Sequence, residues 1–248
     1  MLTMMFIVDS ILTDTGLDAW QKYHRTLPDG GPVYTETDFS RFLVEPWNAF
    51  SSLLFLIPAI IWIIRLRGRY NTYRFLVCCL PWLMLGGLGS TLFHALRQYP
   101  LFLLMDIIPM AILTLSVCIY LWIKLLPHWW QVFFILFPFL LLRWIFFSAL
   151  PPHTAINLSY AITGLFMLLP IAILLVKTAR TGFKPVSLAF LFLAVSLFLR
   201  ETDAWEKTIL PMGTHFLWHA FSSAGAWFLA EYLYLLRTRE MEQSPGKA

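Results

Sequence analysis

Seven long runs of apolar residues follow one another along the chain, separated by short polar or proline-containing connections. A helix that spans a membrane needs about 20 predominantly apolar residues. The candidate spans cover residues 43–66, 73–96, 101–123, 129–150, 155–176, 186–199 and 213–236. The sixth is short unless it continues through Trp205. The pattern predicts an all-α, polytopic membrane protein built as a bundle of seven transmembrane helices.

The composition supports this class and argues against others. Hydrophobic residues make up 59% of the 248 residues and charged residues 13%, whereas soluble domains carry about 25% charged residues. The net charge is only +4, and the basic residues lie mostly at the ends of the apolar runs. That distribution is typical of membrane topology, so we expect no nucleic-acid partner.

The apolar runs divide the chain into three parts. Residues 1–42 are mixed and acidic, and we expect an N-terminal extramembrane segment that includes a surface-lying amphipathic helix before the turn-forming residues 28–32. Residues 43–236 form the seven-helix domain, and residues 237–248 form a tail. Lys and Arg residues are more numerous on the side of the first inter-span loop and the tail. The positive-inside rule therefore predicts an outside N-terminus and a cytoplasmic C-terminus.

Five polar side chains interrupt the apolar runs. Ser90 and His94 lie near the end of the second span, Asp106 lies near the start of the third, and His215 and His219 lie near the start of the seventh. Because successive spans run in opposite directions, we expect all five at one end of the bundle, toward the outer leaflet. Ionisable groups inside a bilayer are costly and mark functional sites.

The spacing of these residues predicts a catalytic zinc site. His215 and His219 are four positions apart, which puts both imidazoles on one helical face, and His94 supplies a third. Three protein ligands leave one zinc position for water, whose pKa zinc lowers to about 7. Asp106 would orient that water and accept its proton. Ser90, one turn from His94, would donate a hydrogen bond to the developing oxyanion.

Two further polar groups lie at the same end. Glu45 and Asn48 lie at the start of the first span. Three roles are possible for them: they support the metal ligands, they form a further cation site, or they are polar residues of a helix start. Arg200 lies with Glu201 and Asp203 after the sixth span, as a solvated cluster or as a contact for the head group of a substrate. The sequence leaves these alternatives open.

These residues resemble the alkaline ceramidase family and, more distantly, the wider superfamily of seven-span hydrolases that includes the adiponectin-type receptors. The matching residues are Glu45-Pro46-Trp47-Asn48, Ser51-Ser52, Ser90-Thr91-Leu92-Phe93-His94, Asp106 and His215-Phe216-Leu217-Trp218-His219. The resemblance implies zinc on His94, His215 and His219, with Asp106 and Ser90 catalytic. It also implies hydrolysis of the amide bond of ceramide or a related N-acyl lipid.

The resemblance also raises the question of calcium. Eukaryotic members share an acidic calcium-binding segment just before the first span, for which Glu36 and Glu45 are the candidates here. Gly31 and Tyr34 depart from the polar ligands expected there, which argues against calcium. The compact chain with short loops is typical of a bacterial member. The alternative function is a lipid-sensing seven-span receptor that retains the metal site.

Overall fold

In the computed structural model of the protein, residues 27, 29–203 and 209–243 are described. The amphipathic helix expected before residue 28 lies outside these ranges, as does the expected continuation of the sixth span through Trp205. The described part of the chain is built from helices, which confirms the all-α class. They are α1 (Pro46–Ser52), α2 (Leu56–Arg65), α3 (Arg74–Leu96), α4 (Pro100–Ile123), α5 (Val132–Ala149), α6 (Pro152–Lys177), α7 (Phe183–Thr202) and α8 (His215–Gln243).

Six helical stretches among the described residues are long and apolar enough to cross a membrane. They are Pro46–Arg65, Arg74–Leu96, Pro100–Ile123, Trp129–Ala149, Pro152–Lys177 and Phe183–Thr202. The 3₁₀ turns Leu53–Phe55 and Trp129–Gln131 complete the first and fourth. Helix α8 has 29 residues but is less apolar, because it carries His215, His219 and Glu231. The structure therefore confirms a multi-span helical protein but not the seventh span.

The helix boundaries refine those expected from the apolar runs. Helices α1, α4 and α6 begin at Pro46, Pro100 and Pro152, because proline favours the first helical position. The first helix begins three residues later than expected, because Pro46 disfavours helical backbone at the preceding Glu45, which has φ −135° and ψ 73°. The sixth stretch is longer than expected and reaches 20 residues without Trp205.

The helices pack around α3, which lies along α1 and α4, while α8 lies along α7 and α1. The main apolar core lies where α2 ends and α3 begins, and it includes Trp62, Leu66 and Tyr232. Helix α5 packs mainly on α6 and exposes large side chains such as Phe134 and Phe137, as expected of a lipid-facing surface. The apolar core thus lies at the end opposite His94, and the polar residues gather at the other end.

A close crossing of α3 and α4 places Asp106 beside the end of α3. Pro109 has no N–H to donate to the carbonyl of Met105, so that carbonyl lacks its usual helical partner. Gly89 of α3 packs directly on it, and a Cβ at position 89 would collide with this oxygen. Glycine at this crossing therefore lets Ser90 and Asp106 approach each other.

Candidate metal centre

The three histidines expected as metal ligands lie together at the end of α3 and the start of α8. All three are buried, and one ligand atom from each lies within 4.8 Å of the others. The ring centroids of His94 and His215 are 5.3 Å apart, and those of His94 and His219 are 5.0 Å apart. The structure thus places at one point three imidazoles that can hold a metal ion.

His94 is held by a carboxylate on one side and has an open nitrogen on the other. Its Nδ1 lies 2.5 Å from Oε2 of Glu45, and because an ionised carboxylate only accepts, Nδ1 carries the hydrogen. Its Nε2 is buried and has no hydrogen-bond partner in the described part of the chain. A histidine that binds a metal usually donates its other N–H to such a group, so Nε2 is the candidate ligand atom.

The two histidines of α8 differ in their surroundings. Nδ1 of His219 lies 2.8 Å from Oγ of Ser51 and 3.2 Å from Oγ of Ser52, which leaves Nε2 as its candidate ligand atom. The ring of His215 lies 4.1 Å from that of Tyr34. Its Nδ1 is buried without a hydrogen-bond partner among the described residues.

The unsatisfied nitrogens fit a bound metal ion. A buried polar atom without a partner costs about 1–3 kcal/mol, and two such nitrogens belong to histidines of this group. Imidazole nitrogens suit zinc and several other transition metals. The donor set therefore fits a metal ion, and it leaves the identity of the metal open.

A chain of hydroxyl groups connects this centre to Asp106. Oγ of Ser52 donates to Oγ of Ser90 at 3.0 Å, and Ser90 makes a hydrogen bond with the half-buried Asp106. Since the carboxylate accepts, the single hydroxyl hydrogen of Ser90 is directed to Asp106. Ser90 therefore cannot donate to Asp106 and to an oxyanion at the same moment.

Polar residues before α1 lie next to the centre and hydrogen-bond to the start of this helix. The carboxylate of Glu36 accepts the backbone N–H groups of Trp47 at 2.6 Å and Asn48 at 2.9 Å, which caps the start of α1. Burial raises the pKa of Glu36, and these two N–H donors oppose the shift. Glu45 accepts from Thr37 at 2.5 Å and contacts Asn48 at 3.4 Å. The contacts of Glu36, Glu45 and Asn48 are compatible with groups that support the centre, and this role and the doubtful calcium site both stay hypotheses.

Two residues organise the site in ways that the sequence did not predict. Asp203 is buried, not solvated, and accepts N–H groups from Thr35, Thr214 and His215 at 3.1, 2.7 and 3.1 Å. Burial raises its pKa against the effect of these donors. It caps the start of α8 and so sets the position of His215. The second residue is Arg97, which is also buried and lies next to Glu45.

Arg200 lies in the same end of the bundle but is already engaged. Its Nη1 donates to Oδ1 of Asn157 at 2.7 Å and to Oε1 of Glu201 at 2.9 Å. Its guanidinium carbon lies 5.2 Å from the ring of Tyr160. Contact with a substrate stays a prediction for this residue.

Comparison with models of protein families matches residues 35–248 to the family described as Ceramidase. This range contains every candidate site residue proposed from the sequence. Comparison with curated proteins found no match. A bacterial origin stays a prediction.

Proposed function

Because the chain belongs to the ceramidase family, we propose that it is a zinc-dependent intramembrane hydrolase that cleaves the amide bond of ceramide or a related N-acyl lipid. Membership of the family itself implies a membrane-associated hydrolase of lipid amides. The observation that carries the zinc part is the group of three buried histidines within 4.8 Å of one another. Zinc is favoured because three imidazoles with one open position form a common catalytic zinc site.

The proposed chemistry needs a metal and two side chains. A zinc ion held by His94, His215 and His219 would supply Lewis-acid polarisation and lower the pKa of water. Asp106 would take one proton from the attacking water and deliver it to the leaving nitrogen. The products are then a carboxylic acid and a free amine, such as a sphingoid base, with one water consumed for each bond broken.

The shared hydrogen bond supports a linked role for Ser90. While Asp106 is ionised, Ser90 donates to it. Once Asp106 has taken a proton from water, it no longer requires this donor, and the hydroxyl of Ser90 is released to the oxyanion that forms at the same stage. A donor aimed at such an oxyanion contributes about 10²–10³-fold in rate. Ser90 would thus act after Asp106 and not beside it.

The proposed enzyme lies in the membrane with its centre toward the outer leaflet. We propose that α8 is a seventh span, in which polar groups are tolerated because His215 and His219 face the bundle interior. The distribution of Lys and Arg supports a cytoplasmic C-terminus. A reporter that is active only in the cytoplasm should be active when fused to the C-terminus, and a reporter that is active only outside should be inactive there. Activity confined to the outside would contradict this orientation.

The test of the proposal combines metal analysis with turnover. Purified protein should carry about one zinc ion per chain and release fatty acid from a labelled ceramide in detergent. Removal of the metal with a chelator should abolish turnover, and added zinc should restore it. Full zinc occupancy after replacement of both His215 and His219 by alanine would sink the assignment. Bound zinc with no turnover of any N-acyl lipid would favour the receptor alternative instead.

A further inference from the structure

Arg97 is a buried cation that ends the helix carrying His94. Its backbone is in the left-handed region, with φ 48° and ψ 34°, a conformation that is uncommon for residues other than glycine. Its N–H still donates to the carbonyl of Phe93 at 2.9 Å. The turn directs the side chain toward the segment before α1, where it is fully buried.

The guanidinium is surrounded by oxygen acceptors. Nε and Nη2 donate to the two carboxylate oxygens of Asp29 at 2.6 and 3.2 Å. Nη1 donates to Oε1 of Glu45 at 2.5 Å, and Nη2 also donates to the carbonyl of Pro32 at 2.9 Å. The ring of Phe93 lies 4.5 Å from the guanidinium carbon. Two buried carboxylates thus share one buried cation.

This cation is linked to the candidate metal ligand His94 through a single residue, Glu45. Glu45 uses Oε1 for Arg97 and Oε2 for Nδ1 of His94. A fully buried carboxylate is stable as an anion only when it is paired. Arg97 therefore holds Glu45 in place through Oε1 and fixes the plane of its carboxylate, and that plane determines where the ring of His94 points.

The space for the guanidinium depends on glycine in the opposite segment. A Cβ added at Gly31 would lie 2.9 Å from Nη2 of Arg97 and 2.5 Å from Cζ of Phe93. A polar side chain at position 31 would therefore collide with the guanidinium of Arg97 in its present position. The guanidinium occupies the place that a side chain of residue 31 would otherwise reach.

We propose that Arg97 is a positioning residue for the metal centre, a built-in cation that orients His94 through Glu45 and makes a separate hard metal ion at this place unnecessary. The inference rests on the proposed role of His94 as a metal ligand. Without the guanidinium, the oxygens of Asp29, Glu45 and Pro32 would form a pocket suited to a hard divalent cation. An added cation should therefore substitute for the missing side chain.

A merely structural role predicts something different. If Arg97 only pins the segment before α1 to the end of α3, its removal lowers the melting temperature and leaves the zinc affinity of the folded protein unchanged. A positioning role lowers the zinc affinity itself. Loss of a group that orients a metal ligand typically costs about 10–100-fold in metal affinity.

The experiment measures zinc affinity by competition with a chelator, without lipid, in Arg97→Ala and in the unchanged protein. Arg41→Ala is the matched control, because Arg41 is exposed in the same segment and pairs only with Asp38 among the described contacts. We expect a loss of about 10–100-fold for Arg97→Ala and none for Arg41→Ala. Millimolar calcium or guanidinium should recover part of the loss in Arg97→Ala and leave the unchanged protein unaffected.

Three outcomes would overturn the proposal. They are an unchanged zinc affinity in Arg97→Ala, a loss that neither cation recovers, and a calcium requirement in the unchanged protein. If Arg97→Ala does not fold, Arg97→Lys and Arg97→Gln take its place. The lysine variant should then bind zinc more tightly than the glutamine variant, and equal affinities would overturn the inference. Failure of the unchanged protein to hydrolyse any N-acyl lipid would count against the proposed function only. The zinc affinities, which are measured without lipid, would still test the role of Arg97.

Discussion

Both ends of the helical bundle hold ion pairs, but the two sets differ in burial. At the metal-centre end, where α1, α4 and α8 begin and α3 ends, the side chains of His94, Glu45, Arg97 and Asp29 are at most 1% exposed. At the opposite end, Glu231 is paired with Arg65 although their side chains are 23% and 36% exposed. Similar chemical groups therefore operate in two different dielectric environments.

The difference indicates what each set contributes. An exposed pair is screened by water and typically contributes about 0–1 kcal/mol. A buried pair loses the hydration of both groups, so its net contribution to stability is small, yet removing one partner costs about 3–5 kcal/mol. The ion pairs of the metal-centre end are thus a poor means of stabilising the fold and a good means of fixing geometry. At the opposite end, the apolar core around Trp62 and Tyr232 provides the stability instead.

The largest expected effect is the loss of a metal ligand. His219→Ala should lose zinc and reduce turnover to the level of the metal-free protein, because the two remaining imidazoles cannot hold the ion as tightly. Zinc content and release of labelled fatty acid are measured on the same sample. The control is His128→Ala, since His128 is exposed and outside the centre. Equal zinc content in His219→Ala and His128→Ala would contradict the assignment.

A change at Asp106 should separate chemistry from metal binding. Asp106→Asn keeps the shape of the side chain but cannot take a proton, so activity should fall about 10²–10⁴-fold while zinc is retained. Turnover of labelled lipid and metal content are again measured together. Near-normal turnover would make the aspartate structural, and loss of zinc would make it a ligand.

The effect of Ser90 should be smaller and should depend on Asp106. Ser90→Ala should reduce turnover about 10²–10³-fold if its hydroxyl reaches the oxyanion. Because Ser90 donates to Asp106, the double variant with Asp106→Asn should lose less than the sum of the two separate losses in activation free energy. Strict additivity would show that the two residues act independently.

The smallest effect is expected at the exposed end. Glu231→Ala removes the partner of Arg65 and should change the free energy of unfolding by no more than about 1 kcal/mol, with unchanged zinc content and turnover. Chemical denaturation in detergent provides the measurement. A loss near the 3–5 kcal/mol expected of a broken buried pair would erase the proposed contrast between the two ends.

The sequence by itself determined the helical class, the six described helical stretches that are long and apolar enough to cross a membrane, and the convergence of the three histidines. Each of these follows from local signals, since apolar runs of about 20 residues predict spans and alternating directions bring the end of α3 to the start of α8. The i, i+4 spacing of His215 and His219 likewise depends only on helix geometry.

Only the tertiary structure decided which groups hold those histidines in place. Arg97 follows a helix and has the sequence signature of a basic residue at a span end, yet it is buried against Asp29 and Glu45. Tyr34 and Asp203 likewise reach the centre from segments without periodicity. Irregular segments have no repeating pattern to reveal their contacts, and a charge placed by long-range packing has the same local sequence as a solvated one. The hydrogen bond between Ser90 and Asp106 depends in the same way on the crossing of α3 and α4, which requires the bare backbone of Gly89.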